Sequence, residues 1–161
     1  MSMWSALAGG FAGTLVLTTA LAAGTQLGLT RMDIPFLLGT AFTDNRTRAT
    51  LVGYVLHFTA GLGFALVYYA GFAVLGHADW KLGLLFGFVH ALFAGTTLVN
   101  VLLPAVHPRM GTLSSAADSS PLLEPPGFML LNYGRTTPIV TILAHLAYGA
   151  IVGGFVAAAT S

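Results

Sequence analysis

Residues 82–103 read LGLLFGFVHALFAGTTLVNVLL, running from Leu82 to Leu103 with no Asp, Glu, Lys or Arg. About 20 apolar residues, rising 1.5 Å each, match the hydrocarbon core of a bilayer, so this stretch predicts a membrane-spanning helix. Three further runs have the same character: Trp4–Leu29, Leu51–Gly76 and Pro138–Ala159, none of which contains a charged residue. Within the first, Ala20-Leu21-Ala22 resembles a signal-peptidase site. The run is too long for a signal core and no basic residue precedes it, so it is expected to be a true span.

The composition agrees. Of 161 residues, 56% are apolar and only 7% charged, against roughly 25% charged in a soluble domain. The mean hydropathy is +0.84. Intrinsic disorder is excluded, because disordered segments are poor in apolar residues. A net charge of +1 with six basic residues offers no phosphate-neutralising patch, which argues against nucleic-acid binding. The absence of cysteine removes disulfides, thiolate metal sites and Cys nucleophiles. No P-loop, nucleophile elbow or dinucleotide fingerprint occurs.

The expected fold is an all-α, integral membrane four-helix bundle forming a single domain over residues 1–161. Spans two and three are joined by the tight turn His77–Lys81, which leaves two long connections, residues 30–50 and 104–137, on the opposite side. Five of the six basic residues (Arg31, Arg46, Arg48, Arg109 and Arg135) lie there, and only Lys81 on the other side. By the positive-inside rule the long loops face the cytoplasm and both termini face out, in what is expected to be a bacterial cytoplasmic membrane. Trp4 and Trp80 then stand at the outer interface. Glycines four apart (Gly9/Gly13, Gly24/Gly28, Gly83/Gly87 and Gly149/Gly153) predict close helix approach within the bundle or between copies of it. Besides lipid, a second copy or a larger membrane complex is the expected partner.

A two-fold repeat runs through the chain. Phe11-Ala12-Gly13-Thr14 in span one matches Phe93-Ala94-Gly95-Thr96 in span three. Asp33-Ile34-Pro35 after span one pairs with Glu124-Pro125-Pro126 before span four. His57 with Gly61 in span two matches His145 with Gly149 in span four. The halves, about 1–76 and 82–161, read as tandem helical hairpins related by a pseudo-two-fold axis along the membrane normal. That axis sets Asp33 opposite Glu124, and makes His57 face His145 inside the bundle. Apolar Phe36–Phe42 and Phe128–Tyr133 predict short interfacial helices in the long loops, while Ser114–Pro121 reads as a flexible linker.

His57 and His145 lie roughly 10–13 Å into their spans at 1.5 Å per residue, with His90 somewhat deeper. Polar stripes join them along single helix faces: His90, Thr97 and Asn100; Thr141, His145 and Tyr148; Tyr54 and His57; Thr14 and Thr18. Ionisable residues inside a span face the bundle interior and are functional candidates by default. The expected site is therefore a transition-metal site built from His57, His90, His145, Asp33 and Glu124, since imidazole and carboxylate together suit Fe, Mn or Zn. Its role would be redox or ion handling.

Simpler readings stand beside this one. Each histidine can serve merely as an interhelical hydrogen-bond partner. Asp33 can cap a short helix, with Pro35 in its first turn. Glu124 can favour a helix N-terminus through the dipole. His77 and His107 are expected to be solvated rather than liganding, with His107 the better candidate of the two to join the site. Two other functions are open: haem b held between His57 and His145 as axial ligands, or a cofactor-free small transporter, proton-linked channel or accessory subunit. Whether the protein is an enzyme is left open.

Overall fold

The computed structural model describes residues 1–110 and 123–159, so the Ser114–Pro121 linker lies outside the described residues. Among the described residues the secondary structure is helical, without strands. Helix α1 (Met3–Gln26) is followed by the short α2 (Ile34–Gly39) and the long α3 (Arg46–Leu75). Helix α4 (Trp80–Phe93) runs on without a break through a π-helical stretch (Ala94–Leu102) into α5 (Leu103–Val106). A 3₁₀ segment (Phe128–Tyr133) precedes α6 (Thr137–Ala158). Four helical stretches, Met3–Gln26, Arg46–Leu75, Trp80–Val106 and Thr137–Ala158, are long and apolar enough to cross a membrane. The protein is thus an integral membrane protein by length and composition of its helices, as expected.

Local chemistry sets the helix boundaries. Asp33, Asn45 and Asp79 each cap a helix by accepting from the backbone N–H three residues on, at 3.0, 3.0 and 2.7 Å. The bond from the Leu82 N–H holds the Asp79 carboxyl below the usual carboxylate range. Helix α3 stops at Gly76, whose φ of 75° is the left-handed conformation that glycine adopts without penalty.

Helix α6 is the hub, packed along both α1 and α4, while α1 also carries α3. Glycine makes these contacts possible. A methyl group at Gly83 would strike the Gly149 carbonyl, and one at Gly149 would strike that of Gly83. At Gly87 it would meet the His145 carbonyl, and at Gly153 the Asp79 carbonyl. Across the α1 seam, Gly9 faces Val152 and Phe155, and Gly13 faces Tyr148. The Gly24/Gly28 pair does not act as expected. Gly24 meets Val140, whereas Gly28 lies beyond the end of α1 at φ 72°, with open space where a side chain would be.

The α3–α4 seam is different, being filled by rings rather than by backbone contact. Phe86 meets Tyr68 and Phe72 at centroid distances of 5.4 and 5.0 Å, and Phe64 stacks on His90 at 3.8 Å. These contacts occupy the half of the seam nearer the termini. In the other half the third span departs from the simple α-helix the sequence predicts. Its π-helical turn is held partly by Asn100, whose side-chain amide donates to the Gly95 carbonyl at 2.9 Å. Such widened turns recur at functional positions.

The glycine seam makes a comparison within one helix possible. Gly153→Ala drives a methyl group into the Asp79 carbonyl, whereas Gly154→Ala meets nothing within 4 Å. Gly153→Ala is expected to cost about 1–3 kcal/mol as overpacking, and Gly154→Ala to be neutral or slightly stabilising. Thermal denaturation in detergent reads the difference. Equal midpoints for the two variants would show that the seam is not tightly packed.

Candidate functional site

The three membrane histidines come from three helices and line one cavity of about 510 Å³. Its wall is mostly leucine, valine and alanine from α1, α3, the third span and α6. Leu37 and Leu38 of the α2 region and Leu130 of the 3₁₀ segment line its loop end. The polar groups on the wall are Thr14, His57, His90, Thr141, His145 and Tyr148.

The close passage of Gly87 over the His145 carbonyl brings α4 and α6 together at this level. The His90 and His145 rings consequently meet edge to face, with centroids 4.7 Å apart. His145 Nδ1 lies 2.8 Å from the Thr141 carbonyl. A carbonyl only accepts, so Nδ1 carries the proton and Nε2 keeps its lone pair. His90 Nδ1 is 3.2 Å from the Tyr68 hydroxyl. Tyr148 donates across the bundle to the Gly61 carbonyl at 2.5 Å, tying α6 to α3 one turn beyond His57. Two buried side-chain atoms among the described residues have no hydrogen-bond partner, and both are carried by residues of this wall: His57 Nε2 and Thr141 Oγ1. Buried polar atoms are paired in the great majority of cases, so two orphans in one cavity call for a physical reason.

The carboxylates of the expected site are elsewhere. Asp33 caps α2 through the Phe36 N–H. Glu124 pairs with Arg31 at 3.4 Å, both side chains being well exposed at 49% and 68%, so the pair contributes little to stability. Both acids line a second, smaller cleft at the loop end with Arg31 and Tyr133, and neither lines the histidine cavity. Among the described residues, no three His, Asp or Glu side chains already stand grouped as a metal-ligand set. In the same cleft, burial pushes the Tyr133 hydroxyl up to about 12, the Glu124 charge adding to the shift and Arg31 opposing it. That hydroxyl donates to the Glu124 backbone carbonyl at 2.9 Å.

His107 corrects a sequence expectation. It is 3% exposed rather than solvated. The Arg109 N–H donates to its Nδ1 at 3.2 Å, so Nε2 carries the proton and donates to the Leu37 carbonyl at 3.0 Å, with the Thr40 hydroxyl at 3.2 Å. Arg109 in turn donates to the Thr40 carbonyl. These bonds bind the end of the third span to α2 and hold Leu37 at the cavity; His107 does not line it. His77 is exposed, as expected. The 3₁₀ segment supplies a second fixture that sequence reading missed. Met129 and Leu130 adopt φ of 50° and 64°, a left-handed conformation costing roughly 1–2 kcal/mol per residue. It turns both side chains into the protein, with Met129 against Gly95.

Two predictions follow from these fixtures. His107→Ala removes one of the two bonds to the Leu37 carbonyl, which keeps the Thr40 hydroxyl at 2.8 Å, at about 0.5–1.5 kcal/mol, and should speed hydrogen exchange in α2 while that of α6 is unchanged. For Tyr133, a folded-state pKa raised from 10.0 to about 12 means a contribution fully present below pH 10 and lost as the pH rises through 12. The thermal midpoint should therefore fall across that window, and less steeply in Tyr133→Phe; identical slopes would rule the contribution out. Comparison with protein-family models, curated proteins and solved structures yields no match to this chain.

Proposed function

We propose that this chain is a membrane-embedded transition-metal protein whose site is His57, His90 and His145, with a redox or ion-handling role. The observation carrying the proposal is the unpartnered, buried Nε2 of His57 in a wall shared with His145, whose own Nε2 lone pair is left available by the Thr141 contact. A histidine ligand normally donates its other ring N–H to a carbonyl or carboxylate, as His145 does here. Imidazole ligands suit Fe, Zn and related ions. Binding would require His57 to close on the His90–His145 pair. Asp33 and Glu124 are left out of the ligand set because a helix cap and Arg31 already engage them.

The pseudo-two-fold repeat belongs to the same proposal. It is supported by His57 and His145 lining one cavity, while the unequal α1–α6 and α3–α4 seams run against an exact two-fold. The interfacial placement of α2 and the 3₁₀ segment, and the cytoplasmic side for the long loops, are likewise proposals resting on apolar character and loop charge. Haem b between His57 and His145 is the second reading. The size and Leu-rich lining of the cavity favour it, with the flanking histidines as axial ligands.

Metal content per chain, measured by mass spectrometry on detergent-purified protein, tests the proposal. Near-stoichiometric Fe, Mn or Zn is expected in the parent, absent in His57→Ala/His145→Ala and retained in Asp33→Asn and Glu124→Gln. If iron is found, a Soret band assigns it to haem. Protein free of metal after growth in metal-replete medium would sink both cofactor readings and turn attention to a proton-linked or accessory role.

A further inference from the structure

The cavity is far larger than an ion requires. A water molecule takes about 30 Å³ of the liquid, and this space measures about 510 Å³, within the range of small-molecule pockets. Its shape is amphipathic. One region carries the histidines and Thr141, while the part towards the loop end is walled by residues such as Leu37, Leu98, Leu102 and Val106.

The cavity also has a side door. Leu102 and Val106 line it and yet are 48% and 76% exposed, and Ala60 of α3 both lines it and is exposed. These residues flank the half of the seam between α3 and the third span where no ring contact bridges the two helices. In a membrane that seam faces hydrocarbon, so the cavity communicates sideways with lipid.

The head of a ligand entering there meets residues with a particular set of polar atoms, two of which, His57 Nε2 and Thr141 Oγ1, are covered by neighbouring atoms and would turn towards the ligand. Among the described residues no Asp, Glu, Lys or Arg lines the cavity, so a charged head would be buried without a partner, at high cost. Thr141 Oγ1 is free to donate or accept. His145 Nε2 accepts, and His57 Nε2 does either according to its tautomer. A hydroxyl is the small head that satisfies all of them, because it donates and accepts and rotates to suit.

From this we infer that the cavity binds a neutral lipophilic hydroxy compound drawn laterally from the membrane, with its hydroxyl held by Thr141 beside the histidines and its apolar body lying towards the α2 end. The inference rests on the histidine cluster of the proposed site and names the substrate class of that site. Ligand binding itself does not require the metal.

The test uses protein in detergent, stripped of metal and labelled with ¹⁵N at histidine rings, and titrated by mole fraction with 4-nonylphenol. Saturable changes are expected at His57 and His145, and none at His77 or His107. Nonylbenzene, which lacks the hydroxyl, should bind at least ten-fold more weakly. Thr141→Val, which removes an unpartnered hydroxyl and should fold normally, should weaken 4-nonylphenol about ten-fold and leave nonylbenzene unaffected. Leu102→Trp, placed at the side door, should slow or abolish binding of both.

Equal binding of the two probes would overturn the inference, as would tighter binding of 4-nonylbenzoate or perturbation confined to His77 and His107. The two readings fail separately. A metal-free parent that still binds 4-nonylphenol defeats the metal site alone; a metal-containing parent that ignores the probe after stripping defeats the substrate class alone.

Discussion

Close backbone contact between α4 and α6 is the constraint on which the rest of this molecule depends. In lipid, helices gain nothing by hiding apolar side chains from one another, because the surrounding tails are equally apolar. Adhesion must come from short-range packing, and here the facing glycines Gly83, Gly87, Gly149 and Gly153 supply it. The same contact decides the chemistry. With Gly87 lying on the His145 carbonyl, His90 is brought edge-on to His145, and the two helices then present both rings to one cavity.

Around that seam the protein divides its labour between close contact and open space. The α1–α6 side is closed by Gly9 and Gly13, and the part of the α3–α4 seam nearer the termini is closed by Tyr68, Phe72 and Phe86. Towards the loops the third span widens into a π-helix and the seam opens. Helix α3 is correspondingly peripheral, with 17% of its span window buried against 44% for α6. Two polar atoms left without partners in this space carry a cost of roughly 1–3 kcal/mol each.

The loop end is held together by side-chain bonds between its segments. His107 and Arg109 fasten α2, Arg31 and Asn132 join the first long loop to the 3₁₀ segment at 2.5 Å, and the strained Met129–Leu130 pair plugs inward beneath them. Strain of this kind persists only where its surroundings over-determine it. Here Gly95 and the cavity floor receive the two side chains. Asp33 and Glu124 stand among these contacts, lining one cleft at the loop end.

Four long uncharged runs were legible in the sequence alone, because membrane insertion sums hydropathy over some twenty residues and no single contact can reverse the total. The cap at Asp33 was legible for a local reason, a side chain bonding its own backbone three residues away; that at Asp79 was read only as part of a turn. Only the tertiary structure decided that His90 meets His145, that His107 is buried, that Gly28 turns the chain while Gly24 packs, and that the third span widens at Ala94–Leu102. Each of these depends on which helices are neighbours and how closely they approach, and glycine spacing permits close approach without choosing the partner.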